Sequence, residues 1–268
     1  MSFTRRIEGV AEALEAQHAA RQRFEPLSGP LSLDTLDEAY AAQRALIRRW
    51  SEGSRGPIAG YKIALTSKAV QELCGVDHHC AGAIFASTVH PSPATVARAD
   101  FVRLGLEFEL CFRLGADLPG GPRPYTAESV RDAVDAAAPA FELVEDRASD
   151  YSVLNAISLV ADNCWCGGIV TGDVSQGWRE LDLSSAPVRL EYTTGGRTDT
   201  ETATTGAALG NPLNALAWVA NVLAGQGRPL TAGMWVMTGS ALRTRFAEAG
   251  DRAVYTIEGM GSVEIRVT

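Results

Sequence analysis

The apolar positions of the first fifty residues recur at helical spacing. One run has apolar residues three to four positions apart, at Ile7, Val10, Ala11 and Leu14. A second run with the same spacing follows Pro26 and Pro30, at Leu36, Ala39, Tyr40, Gln43, Ala45, Leu46 and Trp50. Ser32 precedes this run and suits a helix N-cap, and Gly53, Gly56 and Pro57 suit its end. The pattern predicts a helical N-terminal segment over residues 1–56.

From Ile58 onward the pattern shortens toward a period of two, which is typical of strands. Predicted strands are Ile58 to Ala64, Leu104 to Arg113, Ala140 to Val144, Cys164 to Val170, Val188 to Thr193, Thr200 to Thr205, Trp235 to Thr238, Ala253 to Ile257 and Ser262 to Val267. Predicted helices are Ser67 to Leu73, Thr126 to Ala137 and Asn214 to Ala224. Strands outnumber helices and do not alternate with them as a doubly wound sheet requires. The predicted fold class is α+β, with a mixed or mainly antiparallel sheet rolled into a barrel or sandwich, outer helices, and one compact unit over residues 57–268.

Composition narrows the possible partners and the cell compartment. The 268 residues carry 24 Lys and Arg against 32 Asp and Glu, which gives a net charge of −8 and a pI near 5.1. No basic stripe offsets this balance, so nucleic acid is not an expected partner. An export signal and a run of about eighteen apolar residues are both missing, so we expect no membrane segment. Five scattered cysteines do not form a disulfide pattern, and we expect a cytoplasmic protein.

The segment from Leu104 to Leu110 carries two acidic residues in an otherwise apolar strand. Residues two apart in a strand point to the same face, so Glu107 and Glu109 project together. Two carboxylates on one face make a site of hard oxygen ligands. The alternative is an amphipathic strand whose acidic face lies in water.

Glu142 lies in the middle of another apolar run, where an unpaired carboxylate would be costly. A divalent cation shared with Glu107 and Glu109 would satisfy all three carboxylates. Such a set suits Mg²⁺ or Mn²⁺ better than zinc. The alternative is a buried ion pair between Glu142 and Arg147.

Lys62 is likewise flanked by apolar residues in a predicted strand. A lysine in a cleft can pair with an anionic substrate or transfer a proton. The alternative is a surface lysine whose ammonium group reaches water.

Six segments in the same order resemble one known family. They are Gly60 to Gln71, the Glu-Phe-Glu strand, Pro139 to Glu142, Val160 to Asn163, Asn211 to Trp218, and Gly250 to Arg252 with Ile257 to Val263. Together they are similar to the 2-oxopent-4-enoate (2-hydroxypentadienoate) hydratases. That family, with 4-oxalocrotonate decarboxylase, belongs to the fumarylacetoacetate hydrolase superfamily.

The resemblance implies a mixed β-roll as the catalytic unit and a Mg²⁺ or Mn²⁺ ion held by Glu107, Glu109 and Glu142. It also implies that a 2-oxo acid substrate chelates this ion and that Lys62 lies beside the substrate, taking part in proton transfer or charge stabilisation. We expect further substrate contacts from Asn163, Thr238 and Ser240. The family implies a homo-oligomer, with a possible partner enzyme from the meta-cleavage pathway of aromatic degradation.

One position departs from the family pattern. Where the hydratases carry an aspartate in a Pro-Asp-Phe-Gly-like stretch, this chain has Cys80, and Asp77 or His79 are the candidate substitutes as acid or base. The leading hypothesis is a metal-dependent lyase that adds water to a 2-hydroxy-2,4-dienoate. Two alternatives stay open: a decarboxylase of a 2-oxo-enedioate such as 4-oxalocrotonate, which needs no water-activating group, and a catalytically silent subunit that binds a 2-oxo acid or supports a partner.

Overall fold

The computed structural model describes residues 3–268, and within this range the chain forms six α-helices and thirteen strands. The helices are α1 Phe3–Ala19, α2 Leu36–Glu52, α3 Lys68–Leu73, α4 Ala127–Arg131, α5 Ala156–Ala161 and α6 Pro212–Gly225. The strands are β1 Ile58–Ala64, β2 Cys80–Phe85, β3 Val89–Pro91, β4 Ala94–Val96, β5 Leu104–Leu114, β6 Val134–Glu145, β7 Cys166–Thr171, β8 Pro187–Thr194, β9 Arg197–Thr204, β10 Trp235–Met237, β11 Arg245–Phe246, β12 Arg252–Ile257 and β13 Gly261–Val267.

The strands form two mixed sheets. The larger has the order β2-β1-β10-β5-β6-β7-β3, with β11 paired to β5, and the smaller has the order β4-β13-β12-β8-β9. Most neighbours are antiparallel, but β1 with β10, β3 with β7 and β4 with β13 run parallel. An aromatic cluster of Phe108, Phe141 and Tyr255 joins the two sheets, with ring centroids 5.8 to 6.5 Å apart. The predicted α+β fold class is confirmed.

The two N-terminal helices pack onto the same apolar core as the strands. Val10 and Leu14 of α1 and Leu46 of α2 are fully or almost fully buried in it. The α2 N-cap is Thr35, whose side chain accepts a hydrogen bond from the Glu38 backbone, so the prediction of Ser32 as cap is wrong. The division into a segment at 1–56 and a unit at 57–268 stays a prediction.

The predicted helix from Thr126 to Ala137 is wrong beyond its first turns. Its cap at Thr126 forms as expected, but α4 ends at Arg131 and β6 begins at Val134. The alanines at 136, 137, 138 and 140 favour a helix locally, yet they lie fully buried in a central strand between β5 and β7. Tertiary packing therefore overrides their helix propensity.

Short elements account for the other differences. The sequence pattern did not predict β2, β3, β4, β11 or α5, most of which are brief or uniformly buried and so show no alternation. No described helix is long and apolar enough to cross a membrane. All five cysteines are buried thiols.

Candidate active site

A cavity of about 630 Å³ opens at the edge of β1 and β5. Its polar lining includes Lys62, Glu107, Ser240 and Thr244. Its apolar lining includes Val70, Val144, Leu154, Leu159, Trp165 and Leu242. A few polar groups at one place in an otherwise apolar cavity are typical of a small-molecule site.

Strand register brings the three predicted glutamates together. Glu107 of β5 pairs directly with Glu142 of β6, and Glu109 stands two residues along on the same face. One carboxylate oxygen from each lies within 4.8 Å of the others. Glu109 and Glu142 are fully buried, which excludes the alternative of an acidic face in water.

Lys62 of β1 lies next to these three glutamates. Its Nζ lies 2.8 Å from Glu142 Oε1, and the residue is 4% exposed. The surface-lysine alternative is therefore excluded. Arg147 pairs with Asp162 at 2.7 Å, so the predicted alternative of an Arg147–Glu142 pair is also wrong.

The loop that follows β10 holds two of the carboxylates in place. The Gly239 backbone N–H donates to Glu109 Oε2 at 2.8 Å, and the Thr244 hydroxyl donates to Glu107 Oε1 at 2.7 Å. Buried oxygens Oε1 of Glu109 and Oε2 of Glu142 have no hydrogen-bond partner within residues 3–268. Because buried carboxylate oxygens need a partner, these residues fit a divalent cation bound among them.

The pKa shifts in the protein without a cation also indicate a cation site at these residues. Burial, together with the charges of Glu142 and Glu107, raises the pKa of Glu109 well above its usual range. Burial raises the pKa of Glu142 to about 7 although Lys62 opposes it. Burial alone would lower the pKa of Lys62, but Glu142 and Glu107 outweigh it and raise that pKa above its ordinary value. Lys62 is therefore an ammonium group, and three adjacent carboxylates need a cation to ionise together.

This arrangement predicts a pH-dependent stabilisation by Mg²⁺. Groups whose pKa is raised on folding, as for Glu109 and Glu142, stabilise the protein at low pH and lose that contribution as pH rises through the folded-state pKa. A divalent cation binds the ionised carboxylates and restores the stability that is lost at higher pH. The rise in Tm between EDTA and excess Mg²⁺ should therefore be larger at about pH 8 than at about pH 5.5. Scanning calorimetry at both pH values checks this, and an equal or smaller rise at the higher pH would contradict it.

The predicted substrate-binding residues occupy different surroundings. Ser240 lines the cavity, with its hydroxyl donating to the Leu242 carbonyl at 2.8 Å. Thr238 is buried and donates to the Leu110 carbonyl at 2.6 Å. The Asn163 amide makes two hydrogen bonds to the Ala83 backbone, at 2.7 and 2.9 Å. Neither Thr238 nor Asn163 is among the cavity-lining residues.

Asn163 begins a short left-handed turn that shapes the cavity wall. Asn163, Cys164 and Trp165 have φ values of 53°, 51° and 58°, which non-glycine residues rarely adopt in succession. Cys164 and Trp165 line the cavity, whereas the Asn163 amide anchors the turn to β2. The structure thus places Asn163 where it positions two lining residues.

The candidate acid or base groups near position 80 lie outside the cavity lining. Asp77 is exposed, and His79 packs edge-on against Trp218 with Nδ1 2.8 Å from the Leu65 carbonyl. Cys80 is fully buried, and burial raises the pKa of its thiol to about 12, so it is neutral. None of the three lines the cavity. Their roles in catalysis stay predictions.

Sequence reasoning missed several lining residues, all from segments distant in the chain. Arg243 and Thr244 come from the loop after β10, and Glu201 comes from β9, where it pairs with Arg245. The signal available in the sequence was the polar loop between two strands, at 239–244, since such loops carry functional groups.

Comparisons with known proteins agree with this fold and site. A model of the fumarylacetoacetate (FAA) hydrolase C-terminal region matches residues 81–268, and the chain belongs to that family. Among its relatives, 2-keto-4-pentenoate hydratase 2 of Dechloromonas aromatica (strain RCB) is 34% identical over 257 residues, 96% of this chain and 95% of that protein. The 2-hydroxyhexa-2,4-dienoate hydratase of Comamonas testosteroni is 33% identical over 275 residues, 100% of both chains. The predicted resemblance is confirmed.

A solved structure covers the whole fold. The 4-oxalocrotonate decarboxylase from Pseudomonas putida G7, complexed with magnesium and adipate, has a TM-score of 0.89 at 27% identity, over 100% of this chain and 99% of that one. This chain and that decarboxylase therefore share the architecture described here.

Proposed function

We propose that this protein is a lyase that adds water to a 2-hydroxy-2,4-dienoate to give a 4-hydroxy-2-oxo acid. The observation that carries the proposal is the convergence of three carboxylates and one buried ammonium group at a largely apolar cavity. Full-length relatives named as hydratases of this substrate class support it. In the reaction the 2-hydroxyl group loses its proton and C5 gains one, which gives a 2-oxo-3-enoate. Water then supplies a hydroxyl to C4 and a proton to C3.

Glu107, Glu109 and Glu142 are the proposed ligands of a Mg²⁺ or Mn²⁺ ion. When bound, the ion supplies a Lewis acid for the carboxylate and 2-oxygen of the substrate. Structures of relatives with magnesium, calcium or manganese support a divalent cation of this hard type.

Lys62 is the proposed catalytic cation. Its ammonium group lies at the edge of the glutamate cluster, where it donates a hydrogen bond to the 2-oxygen and stabilises the charge that develops there. The apolar walls at Val144, Leu159 and Trp165 surround the remainder of the substrate and limit access of bulk water. Besides Glu107, the carboxylate that lines the cavity within residues 3–268 is Glu201, which is already paired with Arg245, and no imidazole lines it, so we assign proton handling to Lys62.

Decarboxylation of a 2-oxo-enedioate is a second candidate, favoured by one specific observation. Arg243 lines the cavity, and among residues 3–268 its side chain has no ion-pair or hydrogen-bond partner. Glu201, which also lines the cavity, is already paired with Arg245. A free guanidinium in the cavity suits a substrate with a second carboxylate.

Direct assay separates the candidate reactions. The purified chain with Mg²⁺ is given 2-hydroxypenta-2,4-dienoate or 4-oxalocrotonate, and loss of the ultraviolet absorbance and release of CO₂ are followed. Hydration of 2-hydroxypenta-2,4-dienoate without CO₂ release supports the leading proposal. CO₂ release from 4-oxalocrotonate without hydration of 2-hydroxypenta-2,4-dienoate contradicts it. Absence of any turnover with either would favour the silent subunit.

Replacing each proposed ligand should weaken Mg²⁺ binding. Glu107→Gln, Glu109→Gln and Glu142→Gln each exchange an anionic ligand for a neutral one at a site for a hard cation. We expect each variant to bind Mg²⁺ at least about 10-fold more weakly, by calorimetric titration. Glu201→Gln, at the same cavity but paired with Arg245, is the matched control. Unchanged affinity in Glu142→Gln would remove the third ligand from the assignment.

Arg243→Met should discriminate between substrates with one and two carboxylates. If the guanidinium binds a distal carboxylate, KM for 4-oxalocrotonate should rise about 10- to 100-fold, with little change for the monocarboxylate. Arg197→Met, at the exposed first position of β9, is the control. An equal rise in KM for both acids would mean that Arg243 binds the carboxylate that both substrates carry next to the 2-oxygen.

We also propose that the protein is a cytoplasmic homo-oligomer, with a possible partner enzyme of the meta-cleavage pathway. Light scattering of the purified chain tests the first part. Co-purification with a decarboxylase expressed alongside it tests the second.

A further inference from the structure

A second cavity, of about 640 Å³, lies beneath the N-terminal helices. It is close in size to the active-site cavity, at about 630 Å³. Neighbouring residues of β6 line the two cavities, Val144 the first and Glu145 the second. Because successive residues of a strand point to opposite faces, the two cavities lie on opposite faces of the sheet. Nothing in the proposed reaction uses the second one.

Arg55 is the unusual group in this cavity. Its guanidinium carbon lies 3.6 Å from the centroid of the Trp50 ring and 5.7 Å from that of Phe85. Its side chain has no carboxylate or hydrogen-bond partner among residues 3–268. Burial lowers the pKa of Arg55 from its ordinary value, which reflects the loss of solvent around the charge. A cation–π contact holds the side chain in place but does not neutralise it.

Carboxylates around the cavity already have partners. Glu15 pairs with Arg49 at 2.6 Å and Asp100 with Arg21 at 3.4 Å. The carboxylate of Glu145 accepts backbone N–H groups of residues 102, 103 and 147, at 3.0 to 3.3 Å. Among the described residues none of these carboxylates forms an ion pair with Arg55, and Glu145 attracts the guanidinium group only from beyond ion-pair distance.

Asp162, which lies behind the cavity wall, is also fully engaged. Its two oxygens contact His18 at 2.6 Å and Arg147 at 2.7 Å. Asp162 therefore attracts Arg55 only at longer range and forms no ion pair with it.

Other lining groups suit a flat organic acid. Phe101 provides aromatic surface, and Val96 adds an aliphatic contact. His90 also lines the cavity, and its ring has no hydrogen-bond partner among the described residues. A bare inorganic anion would leave this apolar surface unused.

We propose that the second cavity binds a small carboxylic acid with a planar, unsaturated or aromatic body, whose carboxylate pairs with Arg55. The body of the acid lies along Phe101, and His90 supplies a further polar contact. A concave cavity of this volume fits a small molecule better than the side of another protein chain.

Titration calorimetry with benzoate tests the proposal on the full chain in excess Mg²⁺. Benzoate should bind saturably, and its neutral isostere benzamide should bind about 10- to 100-fold more weakly. Arg55→Met should weaken benzoate binding by a similar factor. Arg21→Met, which removes a lining arginine already paired with Asp100, should leave the affinity within about twofold. Lys62→Met should not change benzoate binding at Arg55, because Lys62 lines the other cavity.

Protection from chemical modification gives a readout that needs no variant. Phenylglyoxal modifies accessible guanidinium groups, and benzoate should slow modification of the peptide that contains Arg55 in the wild-type chain. Equal benzoate affinity in wild type and Arg55→Met, or no protection of Arg55, would overturn the proposal. The proposal would also be overturned if benzoate did not bind the wild type and the Arg55→Met variant formed a smaller assembly. Arg55 would then belong to a subunit interface.

Discussion

Lys62→Met is expected to lower kcat by about 10²- to 10⁴-fold, the range typical of losing a group that assists proton transfer or stabilises charge. The ammonium group lies 2.8 Å from Glu142 Oε1 in a buried site, so water cannot replace it. Methionine keeps the length and the apolar stem, so packing should change little. Steady-state kinetics with saturating Mg²⁺ measures the loss.

The chain offers a close control for this experiment. It contains two lysines, Lys62 and Lys68, and the second is exposed at the start of α3. Lys68→Met should retain kcat within about twofold, since surface substitutions rarely disturb the structure. The free energy of unfolding of each variant is measured in parallel, in Mg²⁺. If Lys62→Met lost stability in proportion to its loss of activity, Lys62 would be structural.

Much of the metal cluster could be predicted from local patterns. Glu107 and Glu109 are two apart in one strand, and Glu142 interrupts an apolar run, so each signal is contained in fewer than about ten residues. Their meeting, however, depends on Glu107 pairing with Glu142 across β5 and β6. The sequence alone offered no register, and the shared need of buried carboxylates for a partner was what linked them.

Other features were decided by long-range packing and could not be predicted. The alanines of β6 favour a helix but complete the centre of a sheet. Asn163 anchors a left-handed turn to the Ala83 backbone, a contact between residues eighty positions apart. Arg243 reaches the cavity from a loop whose course is fixed by hydrogen bonds to Glu109 and Glu107. Such contacts depend on the assembled fold, and composition and spacing carry no trace of them.

The buried network around Asp162 shows how the fold supports the site from outside it. Asp162 is fully buried, and burial would raise its pKa, yet His18 and Arg147 outweigh burial and hold that pKa below its usual value. The next residue in the chain is Asn163, which begins the turn that carries Cys164 and Trp165 into the cavity wall. The network therefore fixes the base of that turn.

Arg147→Met should destabilise the protein by about 3–5 kcal/mol, because it removes the guanidinium partner of the buried Asp162 carboxylate and leaves Oδ2 unpaired. Arg49→Met breaks the half-exposed pair with Glu15 and should cost at most about 1 kcal/mol, which makes it the matched control. Denaturant unfolding of both variants measures the difference. Below its unfolding transition Arg147→Met should keep kcat near the wild-type value, since Arg147 does not line the active cavity.

The double variant Arg147→Met with Asp162→Leu separates the charge from the packing. Removing the carboxylate as well should recover part of the lost stability, because no uncompensated charge then stays buried. If the single variant were as stable as Arg49→Met, the buried pair would contribute no more than a surface pair. If the kcat of Arg147→Met fell along with its stability, the network around Asp162 would affect catalysis through the turn that begins at Asn163.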